Sequence, residues 1–152
     1  ARRSALVCMV LLVTTIAAGA FVAGLDAGLA YNTFPLMDSQ WVPPGYLDQA
    51  PWWRNHLENT ASVQFNHRLL ATVTSVAIIA NWFYLRRRPV AARARRWAAL
   101  AAAMAGGQFT LGVAVILLAV PVALGALHQL MAVALFAAMV TMVHGLVRPA
   151  RG

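Results

Sequence analysis

The chain has 152 residues, 61% of them apolar and only 11% charged, with a formal net charge of +8. Soluble domains carry about 25% charged residues, so a soluble enzyme, a disordered tail and a coiled coil are all disfavoured. The single cysteine, Cys8, excludes a disulfide scaffold, a Cys-based zinc site and a C-x-x-C-H motif. All twelve basic side chains are arginine, and a pI near 11.5 raises nucleic acid as a partner until the arginines are placed along the chain.

A helix that crosses a bilayer needs about 20 apolar residues. Four stretches qualify, at about 5–24, 62–85, 98–120 and 125–147. They predict an all-α, polytopic membrane protein, a single domain over residues 1–152 built as a bundle of four transmembrane helices. Helix 1 is uncharged throughout. It is longer than the apolar core of a signal peptide, and no A-x-A cleavage site stands out in it. Cys8 within it reads as a small apolar residue.

The segment 25–61 holds all four acids (Asp26, Asp38, Asp48, Glu58) and one arginine, Arg54, among many turn formers and aromatics. Loops beyond about 15 residues usually carry function or are disordered. Its Trp and Tyr residues suit an anchor at the membrane interface; a lid over something at that surface is the other reading. His56 in this loop reads as solvated. Helix 2 contains one charge, Arg68. The segment 86–97 then carries Arg86, Arg87, Arg88, Arg93, Arg95 and Arg96. Helices 3 and 4 are joined by a short turn around Pro121, and Arg148 and Arg151 follow helix 4.

With Arg2 and Arg3, ten arginines and no acid fall on one side of the four spans. Arginine excess marks cytoplasmic segments. Both termini and the 86–97 loop are therefore expected in the cytoplasm or matrix, with the 25–61 loop on the outer side of a bacterial or mitochondrial inner membrane. The basic residues are a topology signal. The expected partner is a lipid bilayer, not nucleic acid.

Helices 1–2 and 3–4 read as two repeated helix pairs. Gly19-Ala-Phe21-Val-Ala-Gly24 aligns with Gly107-Gln-Phe109-Thr-Leu-Gly112, and His67-Arg-Leu-Leu-Ala71 with His128-Gln-Leu-Met-Ala132. Both pairs run in the same sense, as a parallel repeat about an axis normal to the membrane. The repeat places His67 and His128 at one depth near the outer side. Ionisable groups inside membrane helices point to function, and bundle cores are where metal and cofactor sites are built. Two imidazoles suit the axial positions of a six-coordinate heme iron, whereas zinc wants a third or fourth ligand. Ala71 and Ala132, one turn deeper on the same faces, leave room for a flat macrocycle. The alternative is a structural role for both histidines. Arg68 is placed either to pair with a heme propionate or to snorkel to water. His144 lies 16 residues beyond His128, about 24 Å along the helix, too far to join them.

The run Gly19 to Met37, containing Gly24-Leu-Asp26-Ala-Gly28 and Tyr31-Asn32-Thr33-Phe34-Pro35, together with Gln64-Phe65-Asn66-His67-Arg68 and Leu127-His128-Gln129, resembles the C-terminal half of the heme A synthase family. The resemblance covers nearly the whole chain. It implies an eight-helix parent in two related halves, an oxidoreductase that converts the C8 methyl of heme O to the formyl group of heme A for cytochrome oxidase. The N-terminal half would hold the substrate heme O. The half represented here would hold a b-type heme (heme b) with His67 and His128 as axial ligands, and would have no catalytic residue of its own. Partners implied are the N-terminal catalytic half or another copy, heme O synthase and an electron donor. In the substrate-binding half the family places a glutamate three residues before the first histidine; here that position is Gln64, which cannot serve as a carboxylate base. The outer-loop cysteine pairs of some members are also missing. The start at Ala1-Arg2-Arg3, without methionine, fits a piece of a longer chain. Two further readings compete: a stand-alone four-helix membrane cytochrome b that transfers electrons, and a scaffold protein with structural histidines.

Overall fold

The computed structural model describes residues 1–147. Four long helices account for most of them: α1 Arg2–Gly24, α2 Thr60–Arg86, α3 Ala92–Leu117 and α4 Val122–Val147. All four are long and apolar enough to cross a membrane, which makes this an integral membrane protein of the all-α class. Short 3₁₀ turns at Ala27–Leu29 and Trp52–His56 interrupt the long loop, and a lone bridge joins Met37 to Gln40. The helices form a ring in which α1 packs on α2 and α4, and α3 packs on the same two neighbours.

Each helix closes the bundle with a stripe at three- and four-residue spacing, the signature of one buried helical face. The stripes are Ala5, Cys8, Leu12 and Thr15 on α1, and Thr74, Ile78, Asn81 and Leu85 on α2. Ala94, Ala98, Ala101 and Ala105 line α3, facing Leu135, Ala138, Met139 and Met142 of α4. Alanine on α3 lets backbones approach closely, and the Cα of Ala94 lies 3.4 Å from where a Cβ on Gly145 would sit. Cys8 is part of this core, its thiol directed at the Ala77 carbonyl at 3.5 Å. All four stripes lie in the half of the bundle nearest the arginines.

The other half is packed differently. Among the described residues α3 has no fully buried residue beyond Ala105, α4 none before Leu135, and α2 none between Gln64 and Thr74. Here the loop 25–59 folds down onto the helix ends. Asn59 caps α2 by accepting the Ser62 N–H at 3.0 Å, and its amide donates to the Gly45 carbonyl and the Asp48 carboxylate. The Ser62 hydroxyl accepts the Leu47 N–H. Asn32 donates to the Ile116 carbonyl at 3.0 Å, one of the terminal carbonyls that a helix leaves without an intrahelical partner. Val120, in the tight turn between α3 and α4, sits over Gly28, where a Cβ would come within 3.0 Å of its methyl.

The helix ends depart from those expected of hydropathy alone. α3 begins at Ala92, so Arg93, Arg95 and Arg96 form its first turns instead of a loop, and the connection from α2 shrinks to residues 87–91. Arginine is a good helix former, and its long stem lets the charge reach water from within a helix. α3 also ends earlier, at Leu117, and α4 starts earlier, at Val122, immediately after Pro121. Arg148 and Arg151 lie outside the described residues.

Candidate functional site

His67 and His128 stand on α2 and α4, each half-buried, at the loop end of the bundle where the core has not closed. Ala71 and Ala132, one turn deeper, are likewise half-buried; Thr74 and Leu135, a further turn in, are buried. The interior therefore stays open at the histidines and shuts two turns below them, in the same way on both helices.

Each imidazole rests on a glycine of the partner helix in its pair. A Cβ on Gly19 of α1 would meet His67 Cε1 at 3.0 Å, with both ring nitrogens within 3.6 Å. A Cβ on Gly112 of α3 would meet His128 Cε1 at 2.9 Å, again with both nitrogens within 3.6 Å. The twin seats support the repeat and correct its register on the first helix of each pair. Sequence comparison aligns Gly19 with Gly107 and Gly24 with Gly112, but the structural counterpart of Gly19 is Gly112. Gly24 faces open space and Gly107 faces the end of Met131. Among small apolar residues a shift of five positions still superposes a glycine on a small residue, so composition cannot choose the register and contact does.

In both rings Nδ1 is buried without a hydrogen-bond partner. One turn before the glycine the two seats differ. On α3 that position is Gln108, whose Nε2 donates to the His128 carbonyl at 3.0 Å and lies 3.4 Å from His128 Nε2. On α1 it is Thr15, whose hydroxyl bonds to the Leu11 carbonyl at 2.8 Å and the Thr74 hydroxyl at 2.7 Å.

Arg68 does not extend freely to water. Its Nη1 donates to the Thr33 carbonyl at 2.8 Å and its Nη2 to the Tyr31 carbonyl at 2.6 Å, while Nε is buried without a partner. Gln64, one turn earlier on α2, is buried and donates to the same Tyr31 carbonyl at 3.0 Å. These two residues clamp the loop over the histidine end. Phe34, just beyond the clamp, meets Phe109 of α3 edge to face at 6.0 Å. Trp41 and Trp52 of the loop are 74% and 73% exposed, while its 31–34 stretch is held over the histidine end of the bundle. His56 is exposed but not simply solvated, because its Nδ1 lies 3.3 Å from the Asn66 amide and its ring packs edge-on to Trp52. His144 is exposed in the last turn of α4, at the arginine-rich end.

Among the described residues no three His, Cys, Asp or Glu side chains converge on a metal position. Two imidazoles can hold a metal that arrives with equatorial ligands of its own, as iron does in a porphyrin. A shallow hollow of about 400 Å³ lined by Phe83, Tyr84, Arg87 and Arg88 lies at the opposite end of α2. It is about 24 Å from His67 by helical rise, and we assign it no part in the histidine site. Gln108 and the two glycine seats were not legible as site residues beforehand. The local signal is a polar residue one turn before a glycine in an apolar span, Gln108-x-x-x-Gly112.

Residues 1–140 match the cytochrome oxidase assembly protein family COX15-CtaA. Heme A synthase COX15 of Arabidopsis thaliana is 44% identical over 135 residues, which cover 89% of this chain and 30% of that protein. Heme A synthase of Nitrosospira multiformis is 44% identical over 130 residues, 86% of this chain and 36% of the relative. Human heme A synthase COX15 is 44% identical over 115 residues, covering 76% and 28%. The chain spans about a third of the length of these curated relatives. No solved structure matches it. With this similarity running from helix α1 into α4, the chain belongs to the COX15-CtaA family, the family of the heme A synthases.

Proposed function

We propose that this chain is the heme b-holding C-terminal half of a heme A synthase, a membrane oxidoreductase that converts the C8 methyl of heme O to a formyl group. The observation that carries this reading is the pair of glycine-seated imidazoles, alike on repeat-related helices, above a core that closes two turns below them. The donor set fits the group. A porphyrin supplies four equatorial nitrogens and asks the protein only for axial donors, and neutral imidazole is the commonest such ligand. The missing Cβ atoms of Gly19 and Gly112 make room for the imidazoles themselves, and the alanines one turn below each ring leave space for a flat macrocycle.

When bound, the heme supplies one-electron redox chemistry. His67 and His128 bind and orient it, and the loop held by Arg68 and Gln64 excludes water from above. Arg68, beside His67 and with Nε lacking a protein partner, is our candidate counter-ion for a propionate. Gln64 supports assigning the oxidation of heme O to the other half of the parent enzyme: an amide has no carboxylate chemistry, and here its N–H bonds hold the loop. By the arginine asymmetry, the histidine end faces the outer side of a bacterial or mitochondrial inner membrane and both termini face inward. The N-terminal half or a second copy, heme O synthase and an electron donor are the proposed partners.

The test is spectroscopic. Expressed in membranes with heme available, the chain should show bis-histidine b-type absorption. His67→Ala or His128→Ala should abolish it, and His144→Ala should leave it. An unchanged spectrum in both ligand variants would sink the assignment.

A further inference from the structure

We propose that the hollow at the arginine end of α2 binds the phosphodiester headgroup of an anionic phospholipid, with Arg87 and Arg88 as its charged contacts and Phe83 and Tyr84 as its apolar wall. The hollow encloses about 400 Å³, within the range of small-ligand sites. Its lining is two pairs four residues apart, Phe83 with Arg87 and Tyr84 with Arg88, a spacing that brings side chains together at a helix surface. The Arg88 guanidinium lies 4.7 Å from the centre of the Tyr84 ring, and that of Arg86 lies 5.0 Å from the centre of the Trp82 ring. A guanidinium stacked on a ring is already ordered, and its forked N–H donors match the oxygens of a phosphate. Phe83 and Tyr84 are exposed just where α2 leaves its apolar span, the depth at which headgroups meet acyl chains.

Among the described residues, nothing in the protein neutralises these arginines. Of the six arginine side chains between positions 86 and 96, only Arg95 makes a hydrogen bond there, to the Arg88 carbonyl at 3.4 Å. The one ion pair among the described residues joins Arg54 to Glu58. All four acids lie with it at the loop end of the bundle, about 40 Å away by the rise of α2 and far beyond a Debye length of about 8 Å. The start of α3 adds to the field. Its first turn holds no acid and its N-cap, Ala91, makes no side-chain bond, so the positive end of the helix dipole meets the same arginines. Topology accounts for an arginine excess on this side, but it does not require two of them to line one hollow with aromatic rings. Basic hollows at the ends of membrane helices take anionic headgroups. A free phosphate would use the arginines alone, whereas the glycerol and first acyl carbons of a lipid also cover the aromatic wall. The site involves neither histidine and stands whether or not heme binds.

The experiment reconstitutes the whole chain in nanodiscs of equal parts phosphatidylglycerol and phosphatidylcholine and counts by native mass spectrometry the lipid that stays with the released protein. The wild type should retain phosphatidylglycerol in preference to phosphatidylcholine. Each arginine near a membrane surface is worth about 5-fold in anionic-lipid binding, so Arg87→Gln with Arg88→Gln should lower retention about 30-fold. Arg93→Gln with Arg96→Gln removes the same charge outside the hollow. That pair should stay within about 2-fold of the wild type, because at an ionic strength of about 0.15 M charges act over only about 8 Å. If the double variant at 87 and 88 fails to give a helical, monodisperse protein, Arg88→Gln alone decides, with a loss of about 5-fold. Equal losses in the two pairs would show a diffuse basic face and overturn the site, and so would equal retention of the two lipids by the wild type. Inorganic phosphate should leave the lipid in place. Displacement by it would mark a site for a soluble anion and overturn the lipid assignment.

Discussion

Replacing Gly112 by alanine puts a methyl carbon 2.9 Å from His128 Cε1, where ordinary contact begins at 3.4 Å. The ring, or the helix carrying it, has to move by about 0.5 Å. Overpacking of this kind costs about 1–3 kcal/mol, and the alanine returns about 1 kcal/mol of helix propensity. The heme-free protein should therefore lose about 0–2 kcal/mol and stay folded. The ligand site is less tolerant, because metal–ligand distances have to hold within about 0.2 Å. We expect hemin affinity to fall about 10- to 100-fold, which is about 1.4–2.8 kcal/mol. Gly19→Ala should behave alike, since its Cβ would meet His67 Cε1 at 3.0 Å. The internal control is Gly106→Ala, on the same helix with nothing within 4 Å of the new carbon. It should gain about 1 kcal/mol in thermal stability and bind hemin as before. The assay is a hemin titration by absorption beside thermal unfolding in one detergent. Undiminished affinity in Gly112→Ala, or an equal loss in Gly106→Ala, would refute the seating argument.

Arg68→Leu removes the two N–H donors that hold the Tyr31 and Thr33 carbonyls. Hydrogen exchange over residues 31–36 should speed up about 10- to 100-fold, and Arg68→Lys should recover only part, because an ammonium cannot span two carbonyls as a guanidinium does. Asn59→Ala loses the α2 cap along with the bonds to Gly45 and Asp48. A cap alone is worth about 0.5–2 kcal/mol, so thermal unfolding should move down by at least that much, and Asn59→Asp should restore the cap component. Asn81 is buried on α2 with Oδ1 unpartnered and its amide 4.0 Å from the Met142 sulfur. Asn81→Leu should raise stability by about 1–3 kcal/mol; a fall in unfolding temperature would show that the buried amide has a partner of its own.

Much of this protein was readable along the chain because the governing signals are local. Runs of about 20 apolar residues name the spans, whatever packs against them, and each of the four runs corresponds to one long helix, with ends shifted by a few residues. The His67 and His128 pair stands out because an ionisable group in an apolar span has few ordinary explanations. The Gly24-Leu-Asp-Ala-Gly and Tyr-Asn-Thr-Phe-Pro stretches carry the family resemblance by themselves. The start of α3 was missed for a reason that is also local: hydropathy scores an arginine as the end of a span, although arginine continues a helix well.

The site's second layer was decided only by the tertiary structure. Whether Gly19 pairs with Gly107 or Gly112 depends on how far one helix slides along another, and no window of sequence encodes that displacement. Sequence leaves the reach of Arg68 open; the fold of residues 25–59 brings two loop carbonyls to its terminal nitrogens. Gln108 is twenty residues from His128 in sequence, and only the rotation of α3 against α4 turns its amide toward that ring. Periodicity determines which face of each helix is apolar. The choice of neighbour for each polar atom on those faces needs all four helices and their loop in place, because a hydrogen bond is lost over a displacement of about half an ångström that hydrophobic burial tolerates.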